Sequence, residues 1–399
     1  MRLFPLAVVA FVLGCGDDAP ESSGTSSSTT LAPTTSASTT AGATTSASTT
    51  TSATTQGDTS TSASAEVGEA SSDGESTTGG PSATLEVHWI DTEGGAATLF
   101  VTPGGSIVLV DTGFPGDRDA DRIAKVVQDD LGHDGIDLVV ITHYHLDHVG
   151  GVPDLAARMP IAAFWDHGDS VEAGGGQGQE LWEDYLAVAD GKRTVVAPGE
   201  VHDVDGLEIS IVSAARNVLA AALPGAGGDN PACDGASNMG VDYSENASSV
   251  GFVARFGSFE MLDLGDLTWS FEDELACPLQ NVGTVDLYQT THHGLAISGA
   301  TQLVHALDPV VVVMNNGAHK GGESATFDRL AAIPSMPELW TQHRALDNDD
   351  AHNAPEERIA NLEDGGGDQG FAVTAVVDSD GRITVTNARN GHAREYQAR

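Results

Sequence analysis

The run Thr142-His143-Tyr144-His145-Leu146-Asp147-His148-Val149-Gly150-Gly151 constrains this 399-residue chain more than any other stretch. It follows the apolar segment Leu138–Ile141, which reads as a buried strand, so His143 begins where the chain leaves a sheet. His143 and His145 are two apart, which in an extended segment places both imidazoles on one side. Asp147 and His148 come next, and Gly150-Gly151 permits a tight turn into a helix. A lone histidine in a core is usually just hydrogen-bonded, as we expect for His305 and His392. Four such groups after a buried strand are different, because burying them without a metal would be costly. Imidazole and carboxylate together suit zinc, with manganese or iron as alternatives.

The pattern His-x-His-x-Asp-His resembles the signature of the metallo-β-lactamase-fold hydrolases. That family is an αββα sandwich of two mixed β-sheets flanked by helices, carrying a one- or two-metal site. Ser106–Val110 followed by Asp111-Thr112-Gly113 is similar to its first motif, in which the aspartate braces the metal loop. Phe259–Leu264 followed by Gly265-Asp266 is similar to a later one, in which the aspartate bridges two metals. Val285–Thr291 leads to His292-His293-Gly294, similar to the segment that supplies the last histidine. The resemblance implies two divalent cations, with His143 and His145 on the first. It implies Asp147, His148 and one of His292 or His293 on the second, with Asp266 between the two. Adjacent side chains at a strand end point apart, so only one of that histidine pair is expected to ligate. The further histidine that many relatives carry between the first motif and the bridging aspartate has no clear counterpart. His167 is the first candidate, ahead of His202, and the alternative is a first metal held by two histidines alone.

Asp147, Asp266 and Asp111 are therefore the carboxylates expected to serve the chemistry. A water acidified between two cations would attack a carbonyl or phosphorus centre. Ser244-Glu245-Asn246, Leu264-Gly265-Asp266 and His292-His293-Gly294 together resemble the ComEC-type branch, whose members include phosphodiester-cleaving proteins. The substrate expected is a small ester, foremost a phosphoester or phosphodiester. A lactone or β-lactam is an alternative, and so is a non-catalytic surface binding protein that keeps the fold. Asn316, His319 and Lys320, after the apolar run Val310–Met314, are candidate substrate-facing groups, although a plain solvated loop is the commoner reading of such residues.

Composition divides the chain. The N-terminus pairs Arg2 with an apolar run, Leu3–Leu13, too short to span a bilayer. Val12-Leu13-Gly14-Cys15 resembles the lipobox of bacterial lipoproteins, which implies lipidation of Cys15, export, and an anchor in the cell envelope, with the outer membrane favoured. Residues 16–82 hold no Lys or Arg and are mostly Ser, Thr, Ala and Gly, a composition that cannot offset its chain entropy by burial. They read as a tether. Residues 83–399 read as one α/β domain, with strand-like runs recurring throughout and helix-like spacing at Asp119–Leu131, Val152–Arg158, Glu180–Ala189 and Ala325–Ile333.

That domain holds 50 of the 58 acidic and 16 of the 17 basic residues, a balance of −34. A surface so negative disfavours nucleic acid as a partner. The polar insertion from Asn217 to Asn246 reads as a long functional loop. For an exported protein, Cys233 and Cys277 are a candidate disulfide.

Overall fold

The computed structural model describes residues 83–234, 239–364 and 369–399. The expected signal segment, the lipidated Cys15 and the tether at 16–82 lie outside them. Two nine-stranded sheets face one another. The first runs in the order Ala393–Gln397, Arg382–Asn387, Val373–Asp378, Thr84–Trp89, Thr98–Val101, Ile107–Val110, Ile136–Val140, Ile161–Asp166 and Arg193–Val195. Its pairings are antiparallel up to Ile107–Val110 and parallel beyond it. The second runs Ile359–Asn361, Glu338–His343, Val311–Met314, Leu287–Gln289, Phe259–Asp263, Gly251–Phe256, Leu207–Ala214 and Val201–Val204, with Asn217–Val218 beside Leu207–Ala214. Here the first four pairings are parallel and the rest antiparallel.

Strict alternation along the strands builds the layers. In Ile107–Val110, Val108 and Val110 join the core between the sheets, while Ile107 and Leu109 join the cluster on the outer face. The inter-sheet core packs Leu85, Val87, Phe100 and Val140 against Ile209, Ile211, Phe252, Met261 and Trp340. Phe100 and Phe252 meet edge to face at 6.2 Å between centroids. Each such large apolar side chain contributes roughly 1.5–3 kcal/mol by leaving water. Helices Asp117–Ala124 and Gly176–Ala189 cover the first sheet through Ile123, Tyr185 and Ala189. Helices Trp269–Ala276, Thr301–Leu307 and Ser324–Ala331 cover the second through Leu275, Leu303, Val304 and Phe327. The result is the αββα sandwich that the sequence leads one to expect.

Several boundaries differ from the sequence reading. The helix expected over Asp119–Leu131 starts at Asp117 and loosens into a π-helical turn at Lys125–Asp130. The strand Glu338–His343 escapes the pattern, because four of its six residues are buried whatever their polarity. Cys233 of the insertion forms a disulfide with Cys277, just past helix Trp269–Ala276, with Cα atoms 5.8 Å apart. Among the described residues no helix is long and apolar enough to cross a membrane.

Candidate metal centre

The parallel strands of both sheets end at one edge, and their C-terminal turns carry the site. Val110 leads to Asp111, Val140 to the His143–His148 loop, Asp263 to Asp266, and Gln289 to His292 and His293. Asp111 (φ 61°) is fully buried and spends its carboxylate on the neighbouring loop. Its Oδ1 accepts the Thr142 N–H at 2.8 Å; its Oδ2 accepts the Thr142 hydroxyl and the His148 Nδ1–H, both at 2.7 Å. The Thr142 hydroxyl has one proton and gives it to Asp111, so it accepts from His143 Nδ1 at 3.0 Å. Both histidines are thereby left with Nε2 lone pairs aimed away from their supports.

Those lone pairs converge. His148 Nε2 lies 3.1 Å from His293 Nε2 and 3.2 Å from Asp266 Oδ2. His293 Nε2 is 3.3 Å from Asp147 Oδ2 and 3.4 Å from Asp266 Oδ2. Asp147, His148, Asp266 and His293 thus present ligand atoms all within 4.8 Å of one another. Beside them, His143 Nε2 faces His145 Nδ1 at 3.1 Å and Asp266 Oδ2 at 3.9 Å. Asp266 stands between the two groups, and Ser249 Oγ holds its backbone N–H at 3.2 Å.

The electrostatics of this cluster call for positive charge. Burial opposes ionisation of Asp147 and Asp266, yet His148 and His293 outweigh it and hold both carboxyls well below the usual range. Burial likewise opposes a charge on His148, but Asp266, Asp147 and Asp111 lift its pKa well above the ordinary value, so its Nε2 holds a proton that a bound cation would displace to free the lone pair. Burial, with repulsion from His148, pushes His143 well down. Imidazole lone pairs fixed from behind, facing two ionised carboxylates in a buried space, are a donor set that fits divalent transition metals.

The structure corrects four expectations. Both His292 and His293 turn toward Asp266, at 3.3 and 3.4 Å, although adjacent side chains were expected to point apart; of the two, only His293 belongs to the group of ligand atoms within 4.8 Å. The reason is local: both residues are left-handed (φ 56°) in a tight turn, so the alternation of an extended strand does not apply. His167 does not join the metal groups. It is buried, its Nε2 bonds Glu245 at 2.9 Å, and its ring stacks on Tyr144. Asn316 is fully buried, and its amide bonds the Gly317 and His343 carbonyls, so it fastens the loop. His319 is more than half exposed and pairs with Asp347 and Asp364. Lys320 does reach the site: its Nζ contacts Asp147 Oδ2 and lies 5.4 Å from the Phe114 ring centroid.

The roles of two further carboxylates went unseen, although Glu245 stands in the Ser244-Glu245-Asn246 stretch quoted for the resemblance. Glu245 is buried and gathers His167, Ser170, Val171 and Tyr144 by hydrogen bonds, and Glu172 approaches His145 Nε2 at 3.5 Å. Neither has a spacing signature, because both act from loops folded back over a distant segment. Asp91, Glu93 and His343 form another close group, in which Arg122 already pairs with Asp91 at 2.9 Å.

Residues 91–221 match the model of the Metallo-beta-lactamase superfamily. A UPF0173 metal-dependent hydrolase of Cupriavidus necator is 35% identical over 103 residues, covering 24% of this chain and 28% of the relative. The thioesterase pkgB of Emericella nidulans is 32% identical over 112 residues, covering 28% of this chain and 31% of the relative. The chain thus matches only about a third of the length of these relatives. Among solved structures, the metallo-beta-lactamase fold protein YhfI from Bacillus subtilis is 11% identical, with 73% of this chain and 99% of that one covered at a TM-score of 0.42. Zinc-bound PqqB from Methylobacterium extorquens is 12% identical, with coverages of 58% and 89% and a TM-score of 0.36. The matched segment contains the whole His143–His148 run, which lies at the edge of the two-sheet sandwich.

Proposed function

We propose that this chain is a metal-dependent hydrolase that cleaves an ester, foremost a phosphoester, at a centre for two divalent cations. The observation that carries the reading is the convergence of His148, His293, Asp147 and Asp266 within 4.8 Å, with His143 and His145 adjoining. His143 and His145 would hold the first cation; Asp147, His148 and His293 the second; Asp266 would serve both. Bound there, the cations supply Lewis acidity and bring a water toward ionisation at neutral pH. The chain's own contributions are orientation and charge. Asp111 and Thr142 fix the tautomers of His148 and His143, and His292, which also faces Asp266, would stand beside the reacting group. Lys320 reaches Asp147, and were a divalent ion to engage that carboxylate, its ammonium would be free to hold an anionic oxygen of the substrate.

A second reading, hydrolysis of an acyl thioester, is supported by the thioesterases among the relatives, pkgB and the atrochrysone carboxyl ACP thioesterase of Aspergillus fumigatus. We further propose export and a lipid anchor, on the strength of the N-terminal apolar run and Cys15.

The deciding assay is chelator-sensitive turnover of chromogenic phosphodiester, phosphomonoester, thioester, lactone and cephalosporin substrates by the same preparation. Phosphoester cleavage that Lys320→Ala weakens through KM supports the first reading, and thioester cleavage alone replaces it with the second. No turnover of any of them by metal-loaded protein contradicts the enzyme.

A further inference from the structure

His145 differs from the other two histidines of its loop in what stands behind it. His143 is held from its outer nitrogen by the Thr142 hydroxyl, and His148 by Asp111. For His145 the geometry is inverted: Nδ1 faces His143, and Nε2 points outward to Glu172 Oε2 at 3.5 Å. We propose that Glu172 is the positioning residue of His145. Its carboxylate takes the Nε2–H, which keeps the proton off Nδ1 and turns that lone pair to the first cation. This rests on the metal-centre reading above.

Glu172 is aimed by its surroundings. Its N–H donates to Ser170 Oγ at 3.1 Å, and its carbonyl accepts the Gly174 N–H at 2.8 Å, which closes a tight turn. Its second oxygen, Oε1, accepts the Glu245 N–H at 3.1 Å, leaving Oε2 for His145. Glu245 in turn accepts from Ser170 Oγ at 2.6 Å and from the Tyr144 N–H at 3.4 Å, and Tyr144 sits between His143 and His145 in the chain. The loop that carries Glu172 is therefore fastened to the histidine loop through one buried carboxylate. His167 belongs to that fastening: it bonds Glu245 and so helps seat Glu172, which explains a buried histidine near a metal centre that does not turn into it.

The partial exposure of the pair, 30% for His145 and 38% for Glu172, makes this the most solvated support in the centre. Its loss should weaken one cation selectively. The test is competition of zinc between the full chain and a chromophoric chelator, resolving two stepwise affinities, with cobalt absorption as a second readout and thermal unfolding as the check on folding. Glu172→Ala should weaken the first site by about 10- to 100-fold, leave the second unchanged, and shift the cobalt bands of the first site. Glu172→Gln keeps one accepting oxygen for the Nε2–H but turns its NH2 toward the Glu245 N–H, and should recover part of that loss. Equal affinities in wild type and Glu172→Ala would overturn the proposal, as would a Gln variant no better than Ala, which would make Glu172 a ligand. Parallel weakening of both sites would also overturn it. Failure of the wild-type chain itself to take up zinc would instead remove the metal-centre reading.

Discussion

His292 and His293 are consecutive, both left-handed, and both bring Nε2 to the same oxygen of Asp266, at 3.3 and 3.4 Å. They are not equivalent. His293 also faces Asp147 at 3.3 Å and His148 at 3.1 Å, whereas the Nδ1 of His292 is engaged by Ser298 Oγ at 3.2 Å. His293→Ala should therefore lose about one metal per chain, while His292→Ala should keep both and lose turnover. Metal analysis of the two purified variants checks this.

The turn that produces this pairing leans on Gly321. Its φ is +73°, and a Cβ there would lie 2.1 Å from the His293 carbonyl oxygen. Gly321→Ala must move the backbone of His293 or distort its own. It should cost about 1–3 kcal/mol of stability and lower metal affinity as well, measured by urea unfolding and chelator competition.

Much of this centre was legible in the sequence. His143, His145, Asp147 and His148 lie within six residues after an apolar run, and Asp111, Asp266 and the histidine pair each follow a strand-like segment. The register of a strand end is what the sequence could not supply. Alternation predicts opposed side chains at His292 and His293, and two left-handed residues cancel it. His167 was misplaced because a histidine after a strand has the same local signature whether its partner is a metal or a carboxylate 78 positions away. For Asn316, a polar residue in a loop gave no sign of its full burial.

The Glu245–His167 pair is buried on both sides, and Glu245 also satisfies Ser170, Val171 and Tyr144. Burial works against its charge, but the hydrogen bond from His167 and that ring's charge prevail, so the carboxyl sits below its ordinary range. Glu245→Ala strands a buried imidazole and several donors, and should cost about 3–5 kcal/mol in denaturant titration. His167→Asn removes no ligand, only a remote support of Glu172, and should retain its metal content after loading with excess metal.

Glu272 gives a pH signature. It is fully buried, accepts the Gly299 and Ala300 N–H groups, and burial pushes its carboxyl up to about 7. Because the folded value exceeds the unfolded one, its contribution is complete below the ordinary carboxylate range and is lost as pH rises through about 7. Glu272→Gln removes that titration. The variant should be most destabilised relative to wild type near pH 5, and the gap should narrow by pH 8 in thermal unfolding followed across that range.

The two histidine groups flanking Asp266 are proposed to form one two-metal centre. Metal content of the purified chain, measured against Asp266→Ala after identical loading, tests it most directly. We expect about two transition-metal ions per wild-type chain and a loss at both positions in the variant, since Asp266 faces both groups. A wild-type chain that takes up no metal, or an Asp266→Ala variant that retains both ions at unchanged affinity, would contradict it.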